Sequence, residues 1–460
     1  MVVPRLLRRL RHPREALTYR EAVARLLGLR GGEMAGMAPG LERIEALLSA
    51  IGNPERSFRI VQVAGTNGKG SVCAMLAAIF QAAGWRAGLY TSPHLVDIAE
   101  RIRVDGRPIP EADLVDGVEA IGTLVARLDA TMFEAVTALA LDHFAREAVD
   151  IAVLEVGMGG RLDSTTVGVP EAEVVTHVDY DHQAYLGATL AAIAAEKAAI
   201  IRSGVAFSSR QEPEAMAVVE RRAREVGVPL LVEGRDLAAA VREATLDGQR
   251  LDLSGPGWRL DDVQCRLLGV FQPGHAVLAA TVARHVGADE AAIRRGLATV
   301  EWPGRFQIVA REPIVILDGA HNPDGARALA RSLAEYFPGQ AVTLVIGISA
   351  DKDQRAILAA LAPSAVRLIL TAYSSARAAS PAELARHLPP GDCRVEVAAS
   401  PREALVMALA GERTPIICVA GSLFLIGEVL AQLPEKQQDF LAAFGPADSM
   451  RDHAPRSSQS

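Results

Sequence analysis

Cysteine is scarce in this 460-residue chain: Cys73, Cys265, Cys393 and Cys418 stand far apart, with no Cys-x-x-Cys pair. That pattern gives no support to a disulfide framework or a zinc site, and fits reduced, buried thiols in a cytoplasmic protein. Long apolar runs are missing too. The longest, Pro415 to Ile426, is too short to cross a bilayer and contains Gly421 and Ser422, so it reads as a buried strand, a turn and a helix start. Met1 to Arg14 is rich in arginine, but no apolar segment follows to make a secretory signal. Nor is there an excess of positive charge. The formal net charge is -7, which argues against coating nucleic acid and leaves any anionic substrate to find a local cationic site.

What is present is the composition of a soluble globular protein, 50% hydrophobic and 22% charged. The length predicts two or three domains. Short β-rich runs alternate with Ala/Leu-rich helical stretches, the pattern of parallel α/β architecture. Expected strands are Arg59–Ala64, Arg86–Tyr90, Asp150–Val156 and Ala172–Val178, with helices over Val72–Ala83 and Phe133–Ala148. Leu230–Leu260 changes character and reads as a small β-rich addition. A second series follows Trp302-Pro303-Gly304-Arg305, with strands at Ile314–Leu317, Ala341–Ile346, Val366–Leu370 and Ile416–Ala420. The boundary falls where Pro and Gly punctuate, dividing the chain into 1–302 and 303–440, with a polar disordered tail at 447–460.

The strand Val61–Ala64 feeds directly into Gly65-Thr66-Asn67-Gly68-Lys69-Gly70-Ser71, and helix follows. Glycines let backbone N–H groups converge on a phosphate, and the helix dipole favours the anion. Lys69 can reach terminal phosphates, and Ser71 or Thr66 can offer a hydroxyl near a metal. The segment departs from G-x-x-x-x-G-K-[ST] by a glycine between Lys69 and Ser71. A plain glycine turn with a surface lysine is the alternative, and the flanking strand and helix disfavour it.

Ligands of open α/β sheets bind outside the carboxyl ends of the strands. Here those ends carry Ser92, Glu155 and His182, a hydroxyl, a carboxylate and an imidazole suited to Mg²⁺ beside a triphosphate. Singly each has a plainer reading: Ser92 caps a turn before Pro93, Glu155 pairs with Arg161, His182 is a satisfied core histidine. Several successive strand ends agreeing favours function. Lys197 sits in the apolar stretch Ala191–Ile201, where it either snorkels to solvent or is desolvated, with a lowered pKa and a reactive amine.

These segments resemble the Mur ligase superfamily and, within it, the folylpolyglutamate synthase/dihydrofolate synthase family. The resemblance rests on Gly65–Ser71, Thr91-Ser92-Pro93-His94, Glu155–Asp163, Asp181-His182, Glu196-Lys197, Pro303-Gly304-Arg305, Asp318–Pro323, Asp351-Lys352-Asp353 and Gly421-Ser422-Leu423. It implies an α/β fold with an N-terminal P-loop ATPase domain on a mostly parallel sheet and a C-terminal Rossmann-like domain. It implies ATP-dependent ligation of L-glutamate to a folate or dihydropteroate carboxylate through an acyl phosphate, releasing ADP and phosphate. By matching position, Gly65, Thr66, Asn67, Gly68, Lys69, Gly70 and Ser71 hold ATP, joined by His275, Arg305 and Asp318. Ser92, Glu155 and His182 hold two Mg²⁺ ions, Lys197 carries a carbamate, and His321 and Ser422 place glutamate. Lys69, Lys197 and His182 are the catalytic expectation. A cytoplasmic monomer is expected, binding neither nucleic acid nor membrane.

The chain departs from the family pattern at several places. His275 stands where an ATP-contacting Asn is common, His177 and Asp179 replace Asn and Gly, Ala199 replaces Gly, and Thr166 stands where Asn often follows Leu-Asp. A ligase acting on a cell-wall precursor is the nearest alternative. It is disfavoured because about sixty residues precede the phosphate loop, too few for a nucleotide-sugar domain. A non-catalytic P-loop module would need neither the second α/β series nor the metal ligands. Whether dihydropteroate or a reduced folate is the acceptor stays open, as does whether Gly28–Gly40 is a pterin loop or an ordinary one.

Overall fold

The computed structural model describes residues 17–30, 40–410 and 414–433. The Arg-rich start, most of Gly28–Gly40 and the tail at 447–460 lie outside the described residues, as do residues 434–440.

The N-terminal sheet comprises β1 (Arg59–Ala64), β2 (Ala87–Tyr90), β3 (Ile102–Val104), β4 (Arg107–Pro108), β5 (Ile151–Glu155), β6 (Ala172–Val175), β7 (Val205–Ser208) and β8 (Leu230–Val232). Their spatial order is β4-β3-β2-β5-β1-β6-β7-β8. Every pairing from β2 to β8 is parallel, and only the β2–β3 and β3–β4 edge is antiparallel. β1 is central, apolar and buried along Ile60–Ala64 apart from the polar but buried Gln62, as expected for a strand covered on both faces. Register aligns the strand ends: Val63 faces Glu155, Ala64 faces Val175, and Tyr90 faces Leu154. The residues following each strand therefore emerge at one level, beside the place where the chain's path across the sheet reverses.

Helix Lys69–Ala82 packs under this sheet with nine buried residues, and helix Gln272–His285 lies against it in the same core. Leu230–Leu260, expected to be β-rich, supplies β8 and much of an antiparallel three-stranded sheet of β9 (Ala238–Thr245), β10 (Gly248–Gly255) and β11 (Trp258–Cys265), ordered β11-β10-β9.

The C-terminal sheet comprises β12 (Gln307–Arg311), β13 (Ile314–Asp318), β14 (Val342–Ile346), β15 (Arg367–Leu370), β16 (Arg394–Val397) and β17 (Ile416–Ala420), ordered β12-β13-β17-β14-β15-β16. The second series opens on an antiparallel β12–β13 hairpin and is parallel thereafter. Asp318 and Ile346 both face Ala420, so β13, β17 and β14 end level. Pro415 to Ile426 forms the strand β17, a turn at Gly421 (φ 109°) and the first half of helix Leu423–Leu430, as its composition predicts.

The halves also touch closely at the last helix. A Cβ at Gly427 on that last helix would lie 1.9 Å from the Leu95 carbonyl oxygen, so glycine is what lets the segment after Ser92 dock there. Among the described residues, no helix is long and apolar enough to cross a membrane.

Candidate active site

Gly65 (φ 144°) and Gly68 (φ 93°) shape the phosphate loop in backbone conformations that other residues avoid. Neither has room for a side chain: a Cβ at Gly65 would meet Thr176 Oγ1 at 1.9 Å, and one at Gly68 would meet His275 Nε2 at 2.3 Å. The helix begins at Lys69 rather than Val72, so Lys69, Gly70 and Ser71 form its first turn, whose N–H groups have no acceptor within the helix. That is the backbone arrangement that receives an anion. The Lys69 ammonium curls back to donate to the carbonyls of Gly65 and Thr66, at 3.1 Å each. Gly70 is pressed against Trp302, whose indole N–H is buried without a partner, and the Arg103 guanidinium lies 6.0 Å over that ring.

The neighbouring strand ends meet here. The Ser92 N–H donates to Glu155 Oε2 at 3.1 Å. Burial pushes the Glu155 carboxyl up, while Lys69, the Ser92 N–H, Arg305 and Arg101 pull it down. Burial drives His182 down to about 4, leaving a neutral imidazole. A hydroxyl, a carboxylate and a neutral ring nitrogen form a hard, oxygen-rich donor set that fits Mg²⁺. Arg161 pairs with Glu196 rather than Glu155, so the pairing alternative for Glu155 fails. Asp163 instead closes the glycine turn by accepting from the N–H groups of Gly157, Met158 and Thr165.

Lys197 does not snorkel. It is 4% exposed and donates to the Gly65 carbonyl at 2.9 Å, directly behind the phosphate loop. Burial first, and then the Lys69 charge, lower its pKa to about 7.

Across the cleft, burial depresses the Arg305 guanidinium and raises the Asp318 carboxyl, which accepts from the N–H groups of Phe306 and Ala320. His321 is held by the Gly319 carbonyl at 2.7 Å and pushed down to about 4 by burial and by Lys352. Ser422 caps helix Leu423–Leu430. Every residue singled out from the sequence for ATP, metal, catalysis or glutamate lines one cavity of about 850 Å³ between the two sheets.

The departures from the family pattern acquire physical settings. His275 Nδ1 lies 3.1 Å from Gln272 Oε1, and the Gln272 amide donates to Ser71 Oγ at 3.4 Å; burial and His177 push His275 down to about 4. Ala199 is right-handed helical (φ −63°), so no glycine is required. Thr166 donates to the Gly160 carbonyl at 2.7 Å. His177 and Asp179 reach across the cleft. His177 Nε2 lies 3.6 Å from Asp324, and Arg327 lies 2.7 Å from Asp179. His177, Asp179 and Asp324 are the one set of three His, Cys, Asp or Glu residues among those described whose ligand atoms lie within 4.8 Å of one another.

Asp181 and Lys352, given no role from the sequence although both lie in the motifs above, also belong to the site. Lys352 Nζ is 2.5 Å from Asp181 Oδ1, with both side chains buried or nearly so. Burial pushes the Asp181 carboxyl up, but His182, Lys352 and His321 outweigh it and hold it below the usual carboxylate range. The available signal was an aspartate beside His182 and a lysine after a C-terminal strand; their pairing depends on how the halves meet.

Residues 63–283 match the Mur ligase middle domain, and residues 304–423 match the Mur ligase glutamate ligase domain. A probable bifunctional folylpolyglutamate synthase/dihydropteroate synthase of Haloferax volcanii is 42% identical over 358 residues, which is 75% of this chain and 42% of that protein. The chain thus spans less than half the length of that relative. The folylpolyglutamate synthase of Lacticaseibacillus casei is 36% identical over 402 residues, covering 84% of this chain and 92% of its own length. The solved structure of Escherichia coli FolC in complex with DHPP and ADP matches with a TM-score of 0.83 at 31% identity, covering 91% of this chain and 98% of that one. On these matches, and on the motifs gathered around one cleft, the chain belongs to the folylpolyglutamate synthase/dihydrofolate synthase family of Mur ligases.

Proposed function

We propose that the protein uses ATP to join L-glutamate to the carboxylate of a reduced folate or of dihydropteroate. The observation that carries this reading is the single cavity onto which both sheets open their carboxyl ends, with the phosphate loop on one wall and His321 and Ser422 on the other. The two halves act as two domains meeting near Pro303, and the cleft between them is where water is excluded from a labile intermediate.

The acceptor carboxylate attacks the γ-phosphorus of ATP and ADP leaves, giving an acyl phosphate. The glutamate amine then attacks the acyl carbon, phosphate departs, and the amine proton is lost as the amide forms. Lys69 swings from the Gly65 and Thr66 carbonyls to the terminal phosphates, and the first-turn N–H groups of Lys69, Gly70 and Ser71 hold the chain of phosphates. Ser92, Glu155 and His182 would hold Mg²⁺, which would screen the triphosphate from the approaching carboxylate. Arg305 and Asp318 close on ATP from the far wall, while His275 packs against Gly68 of the phosphate loop. Phe133, Met132, Met158 and Leu162 give the cavity an apolar flank suited to a flat pterin ring.

A lysine with a pKa near 7 is substantially neutral at physiological pH, and a neutral amine adds CO₂. The N–C bond forms and a proton leaves, converting Lys197 from a cation behind the phosphate loop to an anionic carbamate that faces the metal site. Four unpaired cysteines support a cytoplasmic setting. The test is ADP release with ATP and glutamate, with dihydropteroate or tetrahydrofolate as acceptor. Turnover indifferent to both glutamate and the pterin acid would refute the ligase reading.

A further inference from the structure

The phosphate loop is tied to the C-terminal half by two carboxamides that face each other. Asn67 Nδ2 donates to Asn322 Oδ1 at 3.0 Å, and Asn322 Nδ2 donates to Asn67 Oδ1 at 3.0 Å. Asn322 also caps helix Pro323–Tyr336, its Oδ1 accepting from the Gly325 N–H at 2.8 Å, and its Nδ2 donates to Asp181 Oδ2 at 3.2 Å. Asn67 Nδ2 makes a further bond to Asp324 Oδ2 at 2.8 Å. The amide orientations are set by these outer partners. The Gly325 N–H requires an oxygen, and the Asp181 and Asp324 carboxylates require nitrogens.

Asn322 is 2% exposed and uses both donors and two acceptor positions of its amide. Capping alone asks for one acceptor oxygen. Other helices of this half are capped by Asp353, Ser380, Ser400 and Ser422, with no carboxamide among them. The amide at position 322 therefore does more than a cap requires. It joins three segments: the phosphate loop, the stretch before His182, and the strand end carrying His321. Separating the halves breaks all its cross-cleft bonds at once.

We propose that Asn322 is a positioning residue whose amide clasp with Asn67 keeps the cleft shut over the acyl phosphate until the amine attacks. This inference rests on the ligase reading above. With the clasp loosened, water enters. Its oxygen attacks the acyl carbon, the carbon–oxygen bond to phosphate breaks, phosphate leaves, a proton passes to solvent, and the free carboxylate returns with ATP consumed and no amide formed.

The measurement is ADP released per glutamate incorporated, using the full chain with ATP and the acceptor that supports turnover. Asn322→Ser keeps a capping oxygen but cannot reach Asn67. Asn67→Ala opens the clasp from the other side and leaves the helix cap intact. The wild type should give a ratio near one. Each variant should raise it severalfold, and the double variant should add little to the larger single effect, because both break the same pair. Arg327→Ala, which removes a different contact across the cleft, should keep the ratio near one. A ratio that stays at one in Asn322→Ser and Asn67→Ala, even with slower turnover, overturns the proposal, as does an equal rise in Arg327→Ala. Should Asn322→Ser fail to fold, Asn67→Ala decides alone. Failure of the ligase reading looks different: the wild type would then release no glutamate-dependent ADP.

Discussion

Replacing Lys197 with methionine should make the protein more stable at neutral pH while abolishing its activity. The side chain is buried, and its pKa is about 7 in the native state against 10.5 in the unfolded chain. At about 1.4 kcal/mol per pH unit, the fold disfavours the charged amine by about 5 kcal/mol. Methionine of similar length removes that cost and forfeits one hydrogen bond to the Gly65 carbonyl, worth about 1 kcal/mol. A net gain on the order of 3 kcal/mol at pH 7 follows. The sign with pH is fixed by linkage. Between pH 7 and 10.5 the unfolded lysine binds more protons than the native one, so wild-type stability rises with pH across that window. The penalty is fully present below pH 7 and gone above 10.5, whereas the methionine variant lacks this slope. Urea denaturation at a series of pH values in CO₂-free buffer reads the difference directly, and parallel pH profiles for the two proteins would refute the reasoning. In the activity assay, Lys197→Ala should be inactive and partly restored by short carboxylic acids, which would supply the anion that the proposed carbamate provides.

Lys69→Ala should lower ADP release by on the order of 10² to 10³-fold, because no other group in the loop supplies a mobile positive charge to the terminal phosphates. Retention of most of the turnover would contradict its assignment. Asp181→Asn leaves the Lys352 ammonium nearly buried without its charge partner, and the denaturation midpoint should fall by the equivalent of about 3 kcal/mol. Since the native Asp181 carboxyl lies below its usual range, that contribution is present above about pH 4 and is lost only as the pH falls through the native value. Gly427→Ala forces a Cβ against the Leu95 carbonyl and should cost about 1–3 kcal/mol, read as a lower melting temperature; an unchanged melt would show that the two segments part easily.

The sequence made the phosphate loop legible because its signals are local: an apolar strand, closely spaced glycines and a helix start. β1 and β17 match their expected limits. β6 ends at Val175 instead of Val178 because the His177 carbonyl turns to accept from the N–H groups of Thr66 and Asn67, a bond to a segment more than a hundred residues away. Short or solvent-facing strands escaped notice. Arg107–Pro108 has two residues, and most of Arg394–Val397 is exposed, so neither carries an apolar run. Lys197 was ambiguous for a related reason, since helical periodicity cannot reveal that Leu190–Ala198 presents that position to the underside of the phosphate loop. The unusual His177 and Asp179 were visible as departures, yet their partners Asp324 and Arg327 depend on how the two halves meet.

The contact between Trp302 and Gly70 has a practical consequence. The chain has three tryptophans, and this one sits at the junction of the two halves with its ring against the first turn of the phosphate-binding helix. Indole emission responds to nearby charge and to water reaching the ring. Filling the loop with triphosphate should change both for Trp302, while Trp85 and Trp258 pack elsewhere in the same core. The protein thus contains its own optical probe of nucleotide occupancy, readable by stopped-flow without a label.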